Sequence, residues 1–280
     1  MIARTRLAAV AVSAAAMLLV SGCEFGLLPQ HAAPHKHSHS ASTSAEPGDP
    51  SAYQAAWTVG EEGADHVRPI TIQIADKAGK PVEKFDINHE KKLHLIVVSK
   101  DLTYFEHLHP DYQGGGRFEG QCTFPAGGEY KLFADFVPSR QAQTTLSEGV
   151  TLPGAPLANA SKKLAADTSF TKTDGTARVT LSIDRLQAGA MTMLNFGFRD
   201  KDSGKPITDL QPYLGAVGHV VVLSEDTEQY LHSHPADEKA KGPDAMFHVT
   251  FPKPGLYKIW GQFQRKGEMI IVSYVVEVTP

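Results

Sequence analysis

Seven short runs of the chain are apolar and rich in β-branched or aromatic residues: ITIQI (70–74), KLHLIVVS (92–99), GEYKLFADF (128–136), TARVTLSI (176–183), HVVVLS (219–224), LYKIWGQF (256–263) and MIIVSYVVEV (269–278). Gly, Pro, Asp or Asn bounds each of them, and runs of this length and composition predict strands. No stretch of ten or more residues carries a convincing helical period, so an all-β fold is expected. Residues 146–169, LSEGVTLPGAPLANASKKLAADTS, have the composition of turns and linkers and predict a boundary.

The pattern then repeats. Gly79-Lys80-Pro81 matches Gly204-Lys205-Pro206, His94 matches His219, and His107-Leu108-His109-Pro110 matches His232-Ser233-His234-Pro235, all at an offset of 125. After a two-residue insertion, Phe124-Pro125 matches Phe251-Pro252, Tyr130-Lys131 matches Tyr257-Lys258, Phe133 matches Trp260 and Phe136 matches Phe263. Each copy has about the size and the roughly seven strands of an immunoglobulin-like sandwich. Two tandem β-sandwich domains are therefore expected, at 56–152 and 169–280, joined by a linker at 153–168.

The first residues read differently. Arg4 and Arg6 precede the apolar run LAAVAVSAAAMLLV, and Val20-Ser21-Gly22-Cys23 resembles a bacterial lipobox. Residues 1–22 are read as a lipoprotein signal peptide, with Cys23 as the lipidated residue that holds the protein to a lipid bilayer on the extracytoplasmic face of the cell membrane. An uncleaved membrane helix and cleavage without lipid are the alternatives, although the run is shorter than the ~20 residues a span needs. Residues 23–55 lack apolar periodicity and read as a flexible tether that carries His31, His35, His37 and His39. Short His-rich tracts bind metal loosely, or are simply solvated.

Charge and cysteine content narrow the classes. The whole chain has a formal charge of −4, and removing residues 1–22 takes away two arginines and no acid. A nucleic-acid partner, which needs a basic face, is not expected. Of the two cysteines, Cys23 is assigned to lipid, which leaves Cys122 without a disulfide partner. Stability must come from hydrophobic cores.

Histidines carry the candidate chemistry. If 94–99 pairs antiparallel with 104–109 across a loop of Lys100 to Thr103, His94 lies opposite His109, and His107 shares their face. In the second copy His219 lies opposite His234, with His232 alongside and Glu225 to Glu228 as the loop. Opposed Cβ atoms sit about 4.5–5.5 Å apart, a span that two imidazoles bridge through bonds of ~2.0–2.1 Å to a metal. The same faces carry Ile96, Val98 and Phe105, or Val221, Leu223 and Tyr230, so each set is expected at the rim of a sandwich interior. Imidazole ligation suits copper or zinc, and backbone-bonded histidines are the alternative.

Secondary candidates surround these sets. His248, just before Phe251-Pro252, is a possible fourth ligand, with Gln121 in its place in the first copy. Met246, Met191 and Met193 offer thioethers to Cu(I), although methionine on a strand more often fills a core. Cys122 is a soft ligand or a small buried hydrophobe. His66 and His89 have no counterpart and read as surface residues.

KLHLIVVSKDLTYFEHLHP, FPAGGEYKLFADF and PYLGAVGHVVVLSEDTEQYLHSHP, together with the lipobox and the tether, resemble bacterial secreted lipoproteins with tandem YtkA-like domains. GKPV, GKPI and PKPGLYKIW stand where that class has its G-x-P-V start and P-G-x-Y finish. The resemblance covers most of 68–278 and implies extracytoplasmic immunoglobulin- or cupredoxin-like sandwiches associated with copper or other heavy metals. Blue-copper electron transfer is not expected, because no His or Met follows Cys122 closely and the second copy has Val249 there.

Three functions compete. The leading one is a membrane-tethered metal-binding lipoprotein for copper or zinc buffering, delivery or resistance, partnered by a metal transporter or another cell-envelope protein. The second is a non-enzymatic cell-envelope binding or adhesion module whose histidines are structural. The third is a cupin-like metalloenzyme, since His232-Ser-His234 followed by Glu238 echoes a cupin ligand set, although the first copy has Gln113 at the acid position.

Overall fold

A computed structural model of the chain describes residues 48–157 and 163–280, apart from the side chains of His232 and His234. The leader, Cys23, the tether histidines and part of the linker lie outside the described residues.

The first sandwich has nine strands: β1 (Tyr53–Val59), β2 (Val67–Asp76), β3 (Phe85–Asp86), β4 (Leu93–Ser99), β5 (Phe105–Leu108), β6 (Asp111–Gly114), β7 (Arg117–Thr123), β8 (Gly128–Pro138) and β9 (Thr144–Leu152). One sheet runs β1-β2-β7-β6, and the other runs β3-β8-β4-β5 with β9 also on β8. The second sandwich has β10 (Thr171–Asp174), β11 (Ala177–Ile183), β12 (Met191–Asp200), β13 (Leu210–Gln211), β14 (Gly218–Ser224), β15 (Tyr230–Pro235), β16 (Asp244–Thr250), β17 (Gly255–Arg265) and β18 (Glu268–Val278). There β15 pairs with both β14 and β16 and so links the two layers into one continuous sheet.

All seven predicted strands are present, within an all-β fold of two tandem immunoglobulin-like sandwiches. The differences lie among the strands outside those runs. β1 begins at Tyr53, inside the stretch read as tether, and β9 ends at Leu152, where the linker is expected to begin, although it takes in the first residues of the turn-like stretch 146–169. β9, TTLSEGVTL, keeps much of its surface outward and lacks the apolar density by which the inner strands announce themselves, whereas β1, YQAAWTV, alternates half-buried and exposed residues at the edge of its sheet.

Each sandwich closes around its own apolar cluster. Ile70, Ile72, Phe118, Leu132 and Phe136 are among the buried residues of the first, and Phe196, Phe247, Phe263 and Tyr274 of the second. Full burial of such side chains is worth about 1.5–3 kcal/mol each.

A third cluster is the finding that relocates the site. Ile96, Val98, Leu102 and Phe133 of the first sandwich pack with Val221, Leu223 and Trp260 of the second. Phe105 stacks on Trp260 at 4.9 Å and 15°, and Phe133 stacks on Tyr230 at 5.2 Å and 24°. Phe105 matches Tyr230 in the repeat, and Phe133 matches Trp260, so one contact is made twice with the roles exchanged. That is the self-complementary pattern of a two-fold interface, here between two halves of one chain. The expectation that this face borders a sandwich interior is corrected: Leu93, Leu95 and Val97 point inward, while Ile96 and Val98 point at the other sandwich. Hence β4 and β14 are buried on both faces along their whole length.

Candidate metal centre

The hairpin that carries the first histidines pairs Leu95 with Leu108, Ile96 with His107 and Val98 with Phe105. The second pairs Val220 with Ser233 and Val221 with His232. Both have the register deduced from alternation. In the first, Ser99 N–H donates to Tyr104 O, and the Asp101 carboxylate accepts from Ser99 Oγ and from Thr103 N–H and Oγ1. That turn holds the register.

His94, His107 and His109 come together with one nitrogen of each within 4.8 Å of the others. Their ring centroids lie 5.2 Å (His94–His107), 5.0 Å (His94–His109) and 4.7 Å (His107–His109) apart. His94 is 1% exposed, and the other two are half-buried.

The hydrogen bonds set the protonation pattern. His94 Nε2–H donates to Asn88 O at 3.0 Å, and His107 Nδ1–H donates to Gln262 Oε1 at 2.7 Å. Both acceptors are carbonyl oxygens, so each outer nitrogen keeps its proton and the inner one offers a lone pair. Those inner atoms, His94 Nδ1 and His107 Nε2, face each other at 2.9 Å. Two lone pairs at that distance repel unless a shared proton or a cation lies between them. His109 Nε2 is buried with no hydrogen-bond partner. Burial first, then the electrostatic influence of His94 and Lys91, pushes His109 down to about 3, which keeps its ring neutral.

This donor set fits a borderline metal ion. A tetrahedral ion with bonds of ~2.0–2.1 Å spaces its nitrogen ligands about 3.3 Å apart, close to the separation of the inner pair. Outer N–H groups held by carbonyl oxygens are the usual support of a metal-bound imidazole.

The second copy reproduces part of the arrangement. His219 is 4% exposed, and its Nε2–H donates to Tyr213 O at 3.0 Å, as His94 does to Asn88 O. Both carbonyls belong to tight turns, in which Asn88 exchanges backbone bonds with Lys91, and Tyr213 with Ala216. Gly218 makes room for this strand, because a Cβ there would collide with the Phe263 ring and Gln262 O. His219 does not stand apart from the first set. The His219 ring lies 5.9 Å from that of His94 and 5.8 Å from that of His107. His232 and His234 sit on β15, with His234 opposite His248 in register, and their side chains lie outside the described set.

Other candidates fall away from this cluster. His248 is exposed on β16. Cys122 Sγ donates to Glu106 Oε2 at 3.0 Å within the first core, and burial pushes its thiol well up, so it is a buried hydrophobe and not a ligand. Met191, Met193 and Met246 are 64%, 37% and 42% exposed, which corrects the expectation that they fill a core. Glu238 is exposed in the turn after β15.

Two participants escape sequence reasoning. His89, read as a surface residue, has its ring 4.6 Å from His219 and 6.3 Å from His94, and its backbone is left-handed at φ 45°. Gln262 belongs to the second sandwich but holds a histidine of the first. Its only signal is an uncharged polar residue next to the aromatic positions of the run LYKIWGQF.

A family model described as Domain of unknown function (DUF8832) matches residues 36–151 and again 171–280. The chain belongs to this family. Its two DUF8832 stretches cover both sandwiches, which agrees with the repeat. No curated protein matches the chain. Among solved structures, the chain is similar to FdeC, an Escherichia coli adhesin, with 15% identity over 82% of this chain and 65% of that one, at a TM-score of 0.26. It is also similar to the Yersinia pseudotuberculosis adhesin InvE, with 12% identity over 79% of this chain and 58% of that one, at 0.24. A two-domain fibronectin type III segment of chicken tenascin has 13% identity over 80% of this chain and 98% of that one, at 0.23. The DUF8832 chain thus spans less than two thirds of either adhesin, and likeness at these scores carries no functional argument. No helix among the described residues is long and apolar enough to cross a membrane.

Proposed function

We propose that this DUF8832 protein is a metal-binding protein, not an enzyme, that holds a copper or zinc ion on His94 Nδ1, His107 Nε2 and His109 Nε2. One observation carries the reading: carbonyl oxygens hold the outer N–H groups of His94 and His107, and this turns two lone pairs onto one point beside the unpartnered His109 Nε2. A bound ion would supply the positive charge those atoms face. The lipobox at Cys23 and the tandem YtkA-like motifs support an extracytoplasmic, membrane-tethered role in copper or zinc buffering, delivery or resistance. Such a carrier exchanges metal with a transporter or another cell-envelope protein.

Calorimetric titration of the full chain with Zn(II) and Cu(II) tests this, against a background in which His31, His35, His37 and His39 are replaced by Ala. Stoichiometric binding that is lost in His107→Ala and His109→Ala is the expected outcome. Binding that survives both substitutions overturns the assignment.

A second reading rests on the same bonds. The His107–Gln262 bond crosses between the sandwiches, so the histidines can serve as interface ties in an envelope-binding module. A melting temperature that neither Zn(II) nor copper raises favours that reading.

A further inference from the structure

We infer that the outer face of β12 and β16 carries a second, soft metal site, in which Met193, Met246 and His248, with Met191 at its edge, bind Cu(I). It does not require the histidine cluster to bind metal.

Register places the ligands. Met193 lies directly opposite His248, Asn195 opposite Met246 and Met191 opposite Thr250. Directly opposed residues have Cβ atoms about 4.5–5.5 Å apart, and long side chains reach their diagonal neighbours. Thr192, Leu194, Ala245, Phe247 and Val249 point inward and are buried, so the alternate positions Met191, Met193, Met246 and His248 project from the opposite face.

Packing does not account for these methionines. Apart from Ile87 and Ile271, they are the exposed large hydrophobics among the described residues, and they share one pair of strands. The fold does not require them either, because the first sandwich has Glu119 and Gln121 where the second has Met246 and His248. Thioether sulfur with imidazole nitrogen is a donor set that selects Cu(I) over harder ions. Acidic groups flank the strip: Asp184 Oδ1 accepts from Met193 N–H at 2.8 Å, and Asp244 Oδ1 accepts from Asn195 Nδ2 at 3.2 Å. The strip also ends a lateral row. Met193 is opposite His248, His248 is opposite His234, and the pairing of Val220 with Ser233 brings the buried His219 next to position 234.

The test is a titration of the full chain with Cu(I), without oxygen, followed through methionine methyl signals in carbon–proton NMR. Ag(I) serves as a redox-inert second probe. Saturable shifts of the Met193 and Met246 methyls are expected, and they persist in His107→Ala. The combined variant Met191→Leu, Met193→Leu and Met246→Leu keeps its melting temperature and its Zn(II) binding. It loses at least tenfold in Cu(I) affinity against a chromogenic Cu(I) chelator. Methyl signals that stay unmoved in excess Cu(I), or a leucine variant that binds Cu(I) as tightly as the parent, overturn the proposal. Failure of the histidine cluster reads out separately, as Zn(II) binding indifferent to His107→Ala.

Discussion

Gln262→Leu separates metal support from simple interface packing. Gln262 is 5% exposed, and its Oε1 accepts from His107 Nδ1–H at 2.7 Å across the two sandwiches. Leucine keeps most of the volume and removes the acceptor. A buried donor left without a partner costs about 1–3 kcal/mol. In a chain of this size each kcal/mol moves the melting temperature by roughly 2–4 °C, so the metal-free variant should melt about 2–12 °C lower. The metal effect is distinct. Loss of the group that fixes a ligand's tautomer lowers metal affinity about 10–100-fold, which is ~1.4–2.7 kcal/mol. Gln262→Glu provides a carboxylate facing the same N–H and should hold affinity at or above that of the parent. The assays are Zn(II) calorimetry and thermal melting with and without chelator, on the full chain. If Gln262→Leu melts lower but binds Zn(II) within about twofold of the parent, His107 is not a metal ligand and the reasoning fails.

Three further outcomes follow from the geometry. His109 is depressed from 6.5 to about 3, so its neutral ring contributes stability above pH 6.5 that is lost as pH falls from there towards 3. The slope from this group is at most about 1.4 kcal/mol per pH unit, and urea unfolding of the metal-free protein at pH 7 and pH 5 should differ more in the parent than in His109→Gln. Trp260→Ala removes a 4% exposed ring stacked on Phe105 and should cost about 3–5 kcal/mol; a loss under about 1 kcal/mol in urea unfolding would show that the interface does not hold the sandwiches together. Cys122, buried and with its thiol pushed up, should react with a thiol reagent only as fast as the protein opens, and a fast reaction under native conditions would contradict its placement.

Much of the site was legible because β-structure translates sequence spacing directly into faces. His94 and His107 share a face as soon as 94–99 and 104–109 are paired, and the turn at Ser99 to Tyr104 leaves little choice of register. The repeat supplies the same deduction for His219 and His232. His89 was not legible, because its position depends on a left-handed turn at Asn88 to Lys91, and its neighbour His219 is far away in the chain. Gln262 was hidden for a similar reason, since its partner belongs to the other sandwich.

The sequence by itself determined the all-β class, the tandem repeat, the inner strands and which histidines stand on a common face. Tertiary structure alone decided what that face meets. Ile96, Val98 and Phe105 are as apolar as any core residues, and burial against a second sheet of the same sandwich or against another sandwich asks for the same side chains. The choice between them came from the fit of two duplicated surfaces, Phe105 on Trp260 and Phe133 on Tyr230. That fit brings His219 beside His94 and His107, and so joins the buried histidine of the second copy to the cluster of the first.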